Sequence, residues 1–141
     1  MKISVITAVY NNRNTIAAAI ESILSQTHPC VELVVIDGGS SDGTLELLAK
    51  YGDRINVMVS EADDGIYHAL NKGIALSSGE VVGFLHSDDV FPDPDVLKRV
   101  AAAFTNSGVD AVYGDLEYVK RSDVSKVVRY WSAGTYSLQA L

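Results

Sequence analysis

The feature that most constrains this chain is the order in which two hydrophobic periods alternate. Continuous β-branched runs such as ISVITAV (3–9) and VELVVID (31–37) read as strands buried on both faces. Between them, Ile16, Ile20, Ile23 and Leu24 recur at the spacing of one helix face. The pattern repeats. A turn, GGSSDGT (38–44), with Ser41 or Asp42 as N-cap, leads into a helix carrying Leu45, Leu47 and Leu48. INVMVS (55–60) predicts a third strand, and Ile66, Ala69, Leu70, Gly73 and Ile74 mark the helix after it. EVVGFLH (80–86) predicts a fourth strand, and Val96, Leu97, Val100 and Phe104 a further helix beyond Pro92 and Pro94. Segments 109–119 and 126–131 predict two antiparallel strands around a polar turn. Strands alternating with helices imply an α/β fold with a mainly parallel, Rossmann-like sheet covered on both faces. Its 141 residues are expected to form one domain, 1–141.

Charge narrows the partners. Eleven Lys and Arg against 18 Asp and Glu leave a net charge of −7, which disfavours nucleic acid as a ligand. An anionic substrate stays open, because a bound divalent cation inverts the local charge. The single cysteine, Cys30, allows no internal disulfide and is expected to act as a small hydrophobe in a reducing cytoplasm. The N-terminus lacks the pattern of a signal peptide, and no run approaches the ~18 apolar residues of a membrane span. A cytoplasmic protein is expected, peripheral to the inner face of a membrane at most.

In a parallel sheet, ligands gather beyond the carboxyl ends of the strands. There the sequence concentrates its acids: Asp37 after the second strand, Glu61, Asp63 and Asp64 after the third, and Asp88-Asp89 after the fourth. Several have ordinary readings. Asp37 before Gly-Gly suits a turn, Asp63 and Asp64 suit a helix start, and Tyr10 and His28 suit a strand end and a loop. Asp88-Asp89 resists such a reading, since adjacent carboxylates repel and Asp93 or Asp95 is better placed to cap the next helix. A divalent cation, Mg²⁺ or Mn²⁺, with phosphates and water completing its shell, is the economical explanation. The whole then suggests a nucleotide diphosphate, with Tyr10 against the base and Asp37 accepting a bond from the base or ribose. The segment after the first strand, TAVYNNRN, carries neither the glycines of a dinucleotide fold nor a Walker A loop. The acidic pair follows the fourth strand rather than the first, which excludes a phosphoacceptor receiver.

Four segments, SVITAVYNN, ELVVIDGGSSDGT, SEADDGIYHALNKGIALSSGE and VVGFLHSDDVF, resemble in order the motifs of the family 2 glycosyltransferases with a GT-A fold. The resemblance spans about residues 3–131. It implies transfer of a sugar from a nucleotide-diphosphate donor, of UDP type, to a saccharide or lipid-linked acceptor in cell-surface polysaccharide synthesis, with inversion. Ala8, Val9 and Tyr10 then match the cradle of the base and Asp37 the acid that meets it. Asp88 matches a contact to ribose or sugar, and Asp89 the main ligand of Mg²⁺ or Mn²⁺, with Asp88 beside it. Asp64 lies in a loop lining the donor pocket, where Glu61 and Asp63 are weaker candidates. His86, His68 and Asp64 stand where the family commonly has other residues, which bears on the donor sugar. Family members run much longer, so the catalytic base is expected beyond Leu141, and a fragment that binds donor without transfer is the alternative. Self-association through KVVRYW (126–131) is a further hypothesis.

Overall fold

In the computed structural model, residues 1–134 are described, apart from the side chain of Ser107. They fall into two compact units, Met1–Ala102 and a second that begins at Ala103.

The first unit is built on four parallel strands: β1 (Ile3–Val9), β2 (Val31–Asp37), β3 (Val57–Ser60) and β4 (Val81–Phe84), in the spatial order β3-β2-β1-β4. The two long apolar runs become the central pair, in register from Ile3 opposite Val31 to Val9 opposite Asp37. Alternate residues of β1 and β2 serve different faces, which is why neither run shows alternation in sequence. Ile3, Val5, Val9, Leu33 and Val35 pack under α1 (Ile16–Leu24), α2 (Thr44–Leu48) and the first turn of α4 (Val96–Ser107). Ile6, Ala8, Val34 and Ile36 pack under α3 (Ile66–Leu76) through Ala69 and Leu70.

The outer strands are shorter than expected. β4 pairs with β1 only from Ile3 opposite Val81 to Ile6 opposite Phe84, so Thr7, Ala8 and Val9 run on without a partner on that side. The chain turns away after Leu85, whose N–H still reaches the Ile6 carbonyl at 3.1 Å. The strand order reverses between β1 and β4, and at such a switch point the diverging connections leave a crevice at the carboxyl edge.

The second unit contributes the predicted antiparallel pair, β5 (Leu116–Lys120) and β6 (Asp123–Trp131). Strand is absent from 109–115, where the sequence suggested it. The apolar residues there, such as Val112 and Tyr113, are exposed, and a run without a partner strand gains no ladder. Cys30 is a free, exposed thiol rather than a buried hydrophobe, because it stands in the loop just before β2.

Candidate functional site

Two cavities open on the first unit. The smaller, about 250 Å³, lies at the amino end of β2 and is lined by Leu24, His28, Arg54 and Asn56 among others, with no acid. The larger, about 530 Å³, lies at the carboxyl edge and has the size of a small-ligand site. Each connection at that edge supplies part of its wall. The end of β1 gives Ala8, Val9 and Tyr10, the turn after β2 gives Gly38, and the loop after β3 gives Ala62, Asp63 and Gly65. Helix α3 adds Ile66 and Ala69, and the loop after β4 adds Ser87.

Local chemistry explains the shape. After the exposed Tyr10 the chain turns at Asn11, at φ +47°, a left-handed conformation that Asn tolerates better than most residues. The Asn11 N–H donates to Ser40 Oγ (2.8 Å), and its own Oδ1 accepts the Ser41 N–H (2.8 Å). Asn11 and Asn12 join loops, while Thr15 takes the cap position of α1. Asn12 Nδ2 donates to Ser87 Oγ (2.9 Å), and Thr15 Oγ1 donates to the Ser87 carbonyl (2.8 Å). The entry to α1 thereby holds the loop that bears Asp88 and Asp89. The expected cap of α2 is displaced by one residue. Gly43 takes the cap position, while Asp42 Oδ1 accepts both the Thr44 N–H and its hydroxyl.

Asp37 is fully buried. Its Oδ2 accepts the Gly39 and Ser40 N–H groups (3.0 Å each) and the Ser60 hydroxyl (2.7 Å). Three donors offset the cost of burying a carboxylate. Asp37 thus ties the turn after β2 to the end of β3 and stands behind the cavity wall, not on it. Its Oδ1 is buried and has no hydrogen-bond partner among the described residues. Asp64 is exposed and is not part of the wall; its N–H donates to His68 Nδ1 (3.1 Å). Glu61 is engaged by Lys72 Nζ at 2.5 Å.

Asp88 and Asp89 follow Ser87 at the rim, and both are exposed. Partial loss of water, and then the charge of Asp88, raise the Asp89 carboxyl above the usual range, with His86 opposing. A divalent cation would relieve that tension. Among the described residues no three His, Cys, Asp or Glu side chains converge on one point. The donor set therefore suits Mg²⁺ or Mn²⁺, which keeps water and takes ligand phosphate, better than a site closed by protein alone. Gly38, Ser87, Ile66 and Ala69 were not singled out in sequence as site residues. Only the Gly-Gly pair at the end of β2 carried a signal, a backbone that another group approaches closely.

Comparison with known proteins gives a consistent picture. The family model described as glycosyl transferase family 2 matches residues 4–140. An uncharacterized glycosyltransferase of Nostoc sp. is 36% identical over 126 residues, covering 87% of this chain and 39% of the relative. Among solved structures, S. aureus TarS in complex with UDP-GlcNAc superposes with a TM-score of 0.71 at 31% identity, over 78% of this chain and 33% of that one. A mannosyltransferase, PcManGT from Pyrobaculum calidifontis, in complex with GDP-Man and Mn²⁺, gives 0.68 at 28% identity, over 85% and 36%. The chain spans less than half the length of the curated relatives it matches.

Proposed function

The chain belongs to glycosyl transferase family 2, and from that premise we propose that its carboxyl-edge cavity binds the nucleoside diphosphate of a sugar donor. The observation that carries this is the cavity's position. It opens beside the switch point between β1 and β4, with Tyr10 and Ala8 on one wall and Ser87, next to Asp88-Asp89, on another. Ala8, Val9 and Tyr10 flank the base. Asp37 shapes the turn beneath it, and Asp64 borders the loop before α3. Asp88 meets the ribose or sugar, and Asp89, with Asp88, would hold Mg²⁺ or Mn²⁺. When bound, that cation neutralises charge on the departing diphosphate.

The reaction assigned to the complete enzyme is glycosyl transfer with inversion. An acceptor hydroxyl oxygen bonds to the anomeric carbon as the bond from that carbon to the diphosphate oxygen breaks. The hydroxyl proton passes to a base expected beyond Leu141. The residues of this chain bind and orient the donor. A UDP-sugar is the favoured donor, and the favoured acceptor is a saccharide or lipid-linked chain of cell-surface polysaccharide synthesis. What supports the reading is family membership and the neighbours' own ligands, UDP-GlcNAc and GDP-Man with Mn²⁺. Among the described residues no helix is long and apolar enough to cross a membrane.

Calorimetry with UDP, with and without Mn²⁺, tests this directly. Binding that strengthens with Mn²⁺ is expected, and no binding under either condition overturns the reading. A parallel transfer assay separates a donor-binding fragment from an active enzyme.

A further inference from the structure

We propose, on the reading of the cavity as a nucleotide site, that Asp63 selects the base. Its free carboxylate oxygen accepts the ring N–H of uracil or guanine and repels the ring lone pair that cytosine or adenine presents at that position.

Apart from the Asp88-Asp89 pair at the rim, four acids stand near the cavity, and three of them do not face it. Asp37 faces inward on three donors, Glu61 is paired with Lys72, and Asp64 is exposed and off the wall. Asp63 is on the wall and half-buried. The Gly65 N–H donates to its Oδ1 at 2.9 Å, which fixes the carboxylate, while Oδ2 has no hydrogen-bond partner among the described residues.

Gly38 explains how this oxygen reaches its place. A Cβ built on Gly38 would lie 3.0 Å from Asp63 Oδ2 and 3.4 Å from Tyr10 Cδ2. The missing side chain lets the carboxylate and the Tyr10 ring close on the same stretch of backbone. A flat face for stacking and an acceptor for the base edge therefore stand side by side. Uracil N3 and guanine N1 carry a hydrogen where cytosine N3 and adenine N1 carry a lone pair. A carboxylate rewards the first and opposes the second, and a site built to meet a donor discriminates strongly against a ligand that lacks it.

The test is calorimetry of the 141-residue chain with UDP, CDP, GDP and ADP in Mn²⁺. The expected result is a preference of at least about tenfold for UDP over CDP, or for GDP over ADP, weakened below the fully buried limit because Asp63 is only half-buried. Asp63→Asn should bring that ratio within about threefold of parity, since an amide offers both a donor and an acceptor. Gly38→Ala should shift the ratio the same way, by pushing the carboxylate aside, and carries the test if Asp63→Asn lacks a cooperative melt. Asp53→Asn, in the 3-10 helix (Ala49–Arg54) before β3, controls for the lost charge and should leave the ratio unchanged. Wild-type parity, or a ratio unmoved in folded Asp63→Asn, overturns this inference and leaves the nucleotide reading intact. Absence of any nucleotide binding removes both.

Discussion

Glu32 sits at the sheet end opposite the cavity and gathers donors as Asp37 does at the other end. Its carboxylate accepts Lys2 Nζ (2.6 Å), Ser4 Oγ (2.5 Å), and the Ser78 N–H (2.8 Å) and hydroxyl (2.6 Å). Burial works to raise its pKa, but Lys2, Ser4 and Ser78 together lower it from 4.5 to about 2. A depressed carboxylate adds stability above its unfolded pKa, and that stability is lost as pH falls through the folded value. Urea melts should therefore show Glu32→Gln about 2–3 kcal/mol less stable than wild type at pH 7, with the gap closing between about pH 4.5 and 2. An equal gap at pH 7 and pH 2 would mean that packing, not charge, holds this corner. At the rim, Asp89→Asn should reduce the gain in UDP affinity from Mn²⁺ by at least about tenfold and leave metal-free binding near wild type. Loss of metal-free binding to the same degree would argue that Asp89 touches the nucleotide itself. The sequence exposed the acids of this edge because carboxylates beyond apolar strands stand out. It could not say which face inward, since that depends on backbone donors in turns whose geometry no side-chain pattern records.

Elements were legible where burial is complete. The runs 3–9 and 31–37 became β1 and β2 to the residue, because a strand covered on both faces needs apolar side chains throughout. Edge strands were overread: 55–60 and 80–86 shortened to 57–60 and 81–84, since Ile55 and Leu85 flank the ladder and are apolar because they are buried, not because they are strand. Helix α3 shows how closely its layers pack. A Cβ on Gly73 would lie 2.5 Å from Ile6 Cγ2, and Ile6 is fully buried in the central strand. Alanine would bring its usual helix preference of up to about 1 kcal/mol, but the clash should cost more. Gly73→Ala is expected to lower stability by about 1–2 kcal/mol in chemical denaturation. A more stable variant would mean that α3 lifts freely from the sheet.

At the scale of the molecule, the two units differ in what holds them. Among the described residues, every member of the buried core belongs to the first unit, while all nine residues of β6 are exposed, Val127, Val128, Tyr130 and Trp131 among them. A two-stranded ribbon without a core is marginal in water. Amide hydrogen exchange in 116–131 should therefore run orders of magnitude faster than in 3–9 and 31–37, and equal protection would contradict this division. The same exposed apolar side chains make association of copies the expected behaviour, read as a light-scattering mass that rises with concentration; a mass constant at the monomer value would count against it. The sequence indicated one domain because nothing in its composition marks a linker near Ala103; the division lies in where burial stops, which composition does not register. The brevity of β4 has a consequence of its own. Extending it alongside Thr7, Ala8 and Val9 would add backbone hydrogen bonds and strengthen the sheet, but the added strand would occupy the ground where the crevice begins. Selection for thermal robustness and selection for an open binding edge thus pull on the same three residues of β1 in opposite directions, and a variant hardened by zipping that seam shut should melt higher and bind less.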